Sequence, residues 1–293
     1  PECESIVAGS STPNNRTYPD WDLQVLGECY ESVDYLSLHY YHTAPEGNIG
    51  ALMNASSVFE DFINTEIAAC DVMQAHFRSP KKMMISFDEW GVITDTGAVP
   101  GGVSQDFGFA NFRQLDAVIY GGLLCTFLNY ADRVKIACQS LLVNEGGMIT
   151  TDPGGKAIRQ TTFYPFQDAA RYGRGISLKG AARLPKAATC HHGEQETVTT
   201  ACVYNEEQKE ITVFAMNCEM QEDVKLRLSF EGFGSMEGIA WRELYDDDPY
   251  AKNTFDEEFR VVPKEKELAD VSDGVTEVIL KKHSWNVLRW KLK

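Results

Sequence analysis

Positive charge is scarce in this chain. Twenty-seven lysines and arginines stand against 43 aspartates and glutamates in 293 residues, a net charge of −16. So acidic a protein is repelled by phosphate backbones and anionic headgroups. That excludes nucleic acid and the membrane surface as expected partners and fits a soluble protein that handles neutral ligands. No run of about 18 apolar residues occurs, so no helical membrane span is expected. None of the eight cysteines stands in a Cys-x-x-Cys pair. Several lie inside apolar runs, as Cys125 does in Leu124-Cys125-Thr126-Phe127. Such thiols read as small buried hydrophobes in a reducing, cytoplasmic compartment. Repeats and low-complexity segments are missing too. The opening Pro1-Glu2-Cys3-Glu4 is neither a start methionine nor a basic signal segment, so the chain is expected to begin part-way through a longer protein.

What remains is a chain of 43% hydrophobic residues, enough for a sizeable core. It has two rhythms. Up to about residue 175, short apolar strands (Ser5–Ala8, Val33–Leu38, Met83–Phe87, Val134–Ala137) alternate with helical spacing. One such helix carries Val58, Phe59, Phe62, Ile63, Ile67, Val72, Met73 and Phe77, with Ser57 and Glu60 spaced as a capping box. A second runs from Phe109 to Phe127, and a third lies around Gln160–Arg171. Strand–helix alternation predicts βα units on a parallel sheet. Beyond about residue 185 the period becomes two, as in Val224, Leu226, Leu228 and Phe230. Further strands are read at Val198–Tyr204, Ile211–Met216, Val275–Leu280 and Val287–Trp290. This is the pattern of an antiparallel sandwich, in which Trp241, Trp285 and Trp290 read as core. Gly173-Arg174-Gly175 reads as the hinge between the two parts. A complete (β/α)8 barrel needs about 250 residues, and only four βα units fit here. The expected fold is therefore α/β plus all-β. A partial (β/α)8 TIM barrel occupies residues 1–175, and a jelly-roll-like antiparallel β-sandwich occupies 176–293.

The most informative stretch is Met83-Met84-Ile85-Ser86-Phe87-Asp88-Glu89-Trp90. It reads as a buried strand that ends in an acidic pair capped by tryptophan. Parallel sheets place their chemistry at the carboxyl ends of their strands. A carboxylate there, followed by a wide indole, is what sugar cleavage requires: a fixed acidic group and a flat apolar face for a ring. The plainer reading is a strand that simply stops at a polar loop. After the preceding strand, Leu38-His39-Tyr40-Tyr41-His42 would bring His39 and Tyr41 toward Glu89. A tyrosine hydroxyl that donates to a carboxylate keeps it ionised and oriented. Strict alternation puts Asp88 and Glu89 on opposite faces, so they are not expected to act as an acid–base couple. The same rule splits His39 and His42, which argues against a metal site. His191-His192 lacks supporting cysteines, and Asp246-Asp247-Asp248 reads as a solvated turn. No metal and no cofactor are expected. As candidates for a second carboxylate, Glu46 and Glu145 lie in loops after strands without a supporting motif; Glu2 and Glu4 precede a strand rather than follow one.

Four co-linear stretches resemble the α-L-arabinofuranosidases of glycoside hydrolase family 51. They are Asp34-Tyr35-Leu36-Ser37-Leu38-His39-Tyr40-Tyr41, Ile85-Ser86-Phe87-Asp88-Glu89-Trp90, Asp132-Arg133-Val134-Lys135-Ile136-Ala137-Cys138 and Phe163-Tyr164-Pro165-Phe166. Ser284-Trp285-Asn286-Val287-Leu288 matches that family's last sandwich strand. The resemblance implies a retaining mechanism on a (β/α)8 barrel of which this chain carries about strands five to eight. Glu89 matches the nucleophile after strand seven. His39 and Tyr41 match pocket residues after strand six, with Tyr41 bonded to the nucleophile. Trp90 and Asn144 complete the expected substrate-binding set. The family's acid/base glutamate follows an asparagine on strand four, which has no counterpart here. Gly91, Ile93 and Leu141 depart from asparagine, tryptophan and glutamine common in the family, which reshapes the expected pocket.

Three functions follow as expectations. One is an arabinofuranosidase part acting on arabinofuranosyl-containing saccharides, another a glycosidase of different sugar specificity, and the last a catalytically silent carbohydrate-binding or structural module. Half a barrel leaves two open sheet edges. The chain is therefore expected to form a homo-oligomer, to associate with a chain carrying the missing strands, or to be only marginally stable alone.

Overall fold

In the computed structural model, which describes residues 3–43, 49–93, 112–144, 146–189 and 193–293, the βα rhythm becomes a parallel sheet. Its strands are β1 (Ile6–Ala8), β2 (Tyr35–Thr43), β3 (Met84–Ile93) and β4 (Val134–Gln139). They pair in the order β1-β2-β3-β4, every neighbouring pair parallel. With them run α1 (Asp20–Cys29), α2 (Ile49–Met53), α3 (Ala55–Phe77) and α4 (Gln114–Asn129). The apolar runs of β2 and β3 follow from cover on both faces. On the helix side, Phe59 of α3 stacks on Phe87 of β3 at 5.3 Å between ring centroids, and Phe127 of α4 closes on Phe87 at 5.2 Å. The expected capping box is not formed. Asn54 stands at the N-cap of α3, while Ser57 Oγ donates to Gln195 Oε1 at 2.7 Å and Glu60 accepts from the Tyr130 hydroxyl at 2.9 Å.

After β4 come a two-stranded ribbon of β5 (Ile149–Thr151) and β6 (Ala157–Arg159), then α5 (Phe163–Tyr172). The second half holds β7 (Ile176–Leu178), β8 (Lys186–Thr189), β9 (Gly193–Glu196), β10 (Val198–Asn205), β11 (Glu210–Asn217), β12 (Val224–Ser229), β13 (Met236–Leu244), β14 (Lys264–Lys266), β15 (Val275–Leu280) and β16 (Ser284–Leu292). A six-stranded antiparallel sheet has the order β14-β13-β16-β11-β10-β7. Its Val213, Trp241, Leu288 and Trp290 pack in one core with Leu226, Val278 and Leu280 of the β12–β15 ribbon. Trp241, Trp285 and Trp290 are all buried, as core residues should be. The Asp246-Asp247-Asp248 turn is tied to Arg260, whose guanidinium reaches Asp246 and Asp248 at 3.5 and 3.3 Å.

Helix α4 joins the halves. Every residue from Gln114 to Phe127 is buried, because the helix has no solvent face. Leu115, Ile119, Leu123 and Phe127 belong to the core under the parallel sheet, whereas Ala117, Val118 and Cys125 meet Phe214, Met216, Trp285 and Val287. At the closest approach a Cβ on Gly121 would stand 2.2 Å from Trp285 Cε3, so only glycine admits that indole. Gly173-Arg174-Gly175 is accordingly no loose hinge. Gly175, at φ +140, presses against the carbonyl of Tyr204, and β7 pairs directly with β10.

Candidate active site

β2 and β3 run in register from Tyr35 opposite Met84 to Leu38 opposite Phe87, but the next pair is His39 opposite Glu89. On the other side Phe87 faces Ala137 and the next pair is Trp90 opposite Gln139. One extra residue has been inserted into β3 at Asp88-Glu89. Such a bulge bends its strand and re-aims side chains, and bulges gather beside active sites. The acidic pair therefore does not end the strand, which continues to Ile93.

Two expectations change as a result. Asp88 and Glu89 do not turn to opposite sides: Asp88 Oδ2 lies 3.9 Å from His39 Nε2, and Glu89 Oε2 lies 3.8 Å from His39 Nδ1. Both carboxylates flank a single imidazole. Trp90 is sent to the face already occupied by Phe87, and both rings pack on Phe127, at 5.1 and 5.2 Å. With 0% of its surface exposed and Tyr120 also against it, the Trp90 indole is core, not a platform for a sugar ring.

Glu89 itself is open, its side chain 46% exposed. The Tyr41 hydroxyl donates to Glu89 Oε2 at 3.3 Å and is hydrogen-bonded as well to Ser140 Oγ just beyond β4. Burial pushes the Tyr41 phenol up and the neighbouring Glu89 carboxylate adds to this, while the Ser140 bond opposes it. The phenol thus keeps its proton and remains a donor. The Tyr41 ring rests against Gly91, where a Cβ would stand 3.3 Å from Tyr41 Cδ1 and 2.8 Å from the Tyr120 hydroxyl. The asparagine expected at this position would not fit this packing. Behind the pair, Ser86 Oγ donates to Asp88 Oδ1, which holds Asp88 along its own strand.

Three expected site residues, His39, Tyr41 and Glu89, are thus brought together from two adjacent strands. His42 is turned away from them, its Nε2 against the Ala51 carbonyl at 2.9 Å, as alternation requires. Asn144 serves a turn instead. With φ at +63, it donates from Nδ2 to Thr151 Oγ1 at 3.0 Å and accepts the Thr151 N–H on Oδ1 at 2.8 Å, locking the chain into β5. Its side-chain bonds among the described residues all go to Thr151. Glu46, Glu145, His191 and His192 lie outside the described residues. Ser140 was missed, since a lone serine past a strand end carries no motif. Among the described residues no group of three or more histidine, cysteine or acidic side chains is placed to hold a metal. None of their helices is long and apolar enough to cross a membrane.

This geometry, a half-buried carboxylate bonded through one oxygen to a phenol and flanked by an imidazole, is suited to nucleophilic or general-base work. Comparison with known proteins shows the family. The α-L-arabinofuranosidase C-terminal domain family matches residues 88–284, starting at the bulge itself. An intracellular exo-α-(1→5)-L-arabinofuranosidase of Streptomyces lividans is 36% identical over 99% of this chain and 44% of its own length. Its counterpart from Acetivibrio thermocellus is 35% identical over 99% of this chain and 59% of its own length. A solved family 51 α-L-arabinofuranosidase from Bifidobacterium longum superposes with a TM-score of 0.90 at 27% identity, over 98% of this chain and 58% of that one. The chain thus spans about half the length of the curated relatives it matches. It belongs to the α-L-arabinofuranosidase C-terminal domain family, within glycoside hydrolase family 51.

Proposed function

We propose that this chain supplies the nucleophile of a retaining α-L-arabinofuranosidase that releases terminal α-L-arabinofuranosyl residues from arabinose-containing saccharides. The observation that carries the reading is the bulge that presents an exposed Glu89 with its Oε2 held by Tyr41 and flanked by His39. Both contacts fall on Oε2, which leaves Oε1 to attack the anomeric carbon. The new C–O bond forms as the bond to the leaving oxygen breaks, giving a glycosyl ester of Glu89. A general acid protonates the leaving oxygen and then, as base, takes a proton from the water that cleaves the ester. In the family's pattern that group stands on strand four, and no residue of this chain matches it. Tyr41 works against charge: its hydroxyl steadies the carboxylate before attack and again as the carboxylate leaves.

On this reading the four parallel strands are strands five to eight of a (β/α)8 barrel, residues 1–175, and the antiparallel part, residues 176–293, is a β-sandwich. The open edges at β1 and β4 would pair with further strands, through self-association or a chain carrying strands one to four. Relatives named as intracellular enzymes and the free described cysteines support a reducing, cytoplasmic setting. Leu141, 44% exposed, and Gly91 support a second reading, a glycosidase for another sugar.

Intact mass after incubation with a dinitrophenyl α-L-arabinofuranoside, and separately with the xylopyranoside, tests this. That leaving group needs no acid. One pentosyl unit gained from the arabinofuranoside, and lost in Glu89→Ala, is expected. Gain from the xylopyranoside alone would favour the second reading. No gain from either would make the chain catalytically silent.

A further inference from the structure

The fold also holds a buried acidic pair that the proposed reaction does not use. Asp22 of α1 and Glu66 of α3 are both 0% exposed. Asp22 is fully engaged as an acceptor: its Oδ1 takes the Ser10 N–H at 2.7 Å and its Oδ2 the Ser10 hydroxyl at 2.5 Å. Neither oxygen of Glu66 meets a hydrogen-bond donor among the described residues. Helix α1 packs on α3 and brings the Asp22 carboxyl against Glu66. Two carboxylates cannot share such a site as two anions, because burial and mutual repulsion both disfavour the second charge. One proton must lie between them. Since Asp22 already accepts two bonds from Ser10, Glu66 is the carboxylic acid and Asp22 the anion that accepts from it. Burial and the Asp22 charge together push Glu66 up to about 9.

The pair is connected to the site through the backbone. Gly9 and Ser10 extend the pairing of β1 with β2: Gly9 N–H donates to the Ser37 carbonyl at 3.0 Å and the Ser10 carbonyl accepts from the His39 N–H at 3.2 Å. His39 is where the register with β3 slips and where the imidazole enters between Asp88 and Glu89. The approach is tight, since a Cβ on Gly9 would stand 2.8 Å from Asp22 Oδ1 and 2.4 Å from the Ser37 carbonyl. The Asp22 carboxylate therefore grips Ser10 by two hydrogen bonds, and Ser10 holds the main chain of the pocket histidine by a third.

We propose that Asp22 and Glu66 form a one-proton carboxyl pair that acts as a positioning element, setting through Ser10 the placement of His39 against Glu89. Asp22 and Glu66 are positioning residues; neither touches substrate. The proposal rests on the reading of Glu89 as the nucleophile only for its catalytic consequence, and the placement of His39 can be measured separately. The other titratable groups facing the pair are neutral at ordinary pH. Tyr18, from the segment before α1, is pushed up to about 12 by burial, with Glu66, Asp22 and Asp61 adding to this. Cys70, one turn along α3, is likewise pushed up to about 12 by burial, partly opposed by Arg133 and reinforced by Glu66, Asp71 and Asp22. Loss of the shared proton would place two anions side by side in a dry site, and their repulsion would act on the carboxylate that holds Ser10.

The test is a titration of the full chain carrying isotopically labelled histidine and glutamate, followed by NMR, with the His39 signal assigned by His39→Asn. Wild type should show one glutamate carboxyl that titrates near pH 9 and is absent in Glu66→Gln. The His39 ring signal should change at the same pH. Glu66→Gln keeps the hydrogen bond to Asp22 but cannot titrate, so this change should vanish while the neutral-pH signal stays close to wild type. Asp22→Asn should displace the His39 signal at every pH and slow the glycosylation of Glu89 about tenfold or more, the scale expected from small misplacements. A Glu66 carboxyl that titrates in the ordinary glutamate range would overturn the proposal. So would a His39 curve that superposes on wild type in Glu66→Gln. If Asp22→Asn does not fold, the Glu66→Gln comparison decides alone. If wild type forms no Glu89 adduct, the functional reading fails while the Glu66 and His39 signals still decide this one.

Discussion

Phe87 and Trp90 lie on the same face of β3, both packed on Phe127, although three positions separate them and alternation would place them on opposite faces. The residue inserted at Asp88-Glu89 accounts for this. It brings a second large ring into the core and, by the same rotation of the backbone, turns Glu89 outward beside His39 and Tyr41. Packing and chemistry here depend on one local irregularity.

The burial of Trp90 is thus what anchors the bulge. Trp90→Ala should lower stability by about 3–5 kcal/mol, the usual cost of deleting a buried aromatic side chain, measured by urea denaturation. A loss below about 1 kcal/mol would show that the indole does not hold the strand.

Tyr41→Phe removes one donor from the Glu89 carboxylate and leaves the ring packed on Gly91. Hydrogen bonds to charged groups contribute about 1.5–3 kcal/mol, so glycosylation of Glu89 should slow by roughly 10- to 100-fold with little change in folding. Rapid-quench mass spectrometry would measure the rate. An unchanged rate would remove Tyr41 from the mechanism.

The architecture was largely legible in the sequence, because the change of apolar period from helical to alternate follows directly from two-sided and one-sided burial. Several short elements were not, and α1 and β13 show why. In α1 the run Asp20–Cys29 mixes charges among few apolar residues, and its buried Asp22 works as an acceptor rather than as part of an apolar stripe. In β13, Gly238 and a register shift between Gly238 and Ala240 interrupt the alternation. Within the site, His39, Tyr41 and Glu89 were readable as residue types at strand ends. The bulge was not, since an inserted residue alters pairing without altering composition. The full burial of Trp90 was unreadable for the same reason. An indole beside an acid looks like a sugar platform until the strand register is known.

Stability should fall as pH rises, and Glu66 should carry part of the fall. Its folded value, about 9, lies above the ordinary 4.5, so the folded chain keeps a proton that the unfolded chain gives up between those values. The contribution is full below pH 4.5 and is lost progressively up to about pH 9, by at most about 1.4 kcal/mol per pH unit. Thermal unfolding across this range should show the wild-type midpoint dropping more steeply than that of Glu66→Gln. Parallel curves would mean that Glu66 is already ionised in the fold.

The most direct test of the account is where the sugar attaches. The chain labelled with a dinitrophenyl α-L-arabinofuranoside should be digested at acid pH and mapped by tandem mass spectrometry. An ester on Glu89 alone is expected, because the bulge exposes that carboxylate while Asp88 is held along the strand by Ser86. An ester on Asp88, or no ester in a chain that retains its native circular dichroism, would contradict the account.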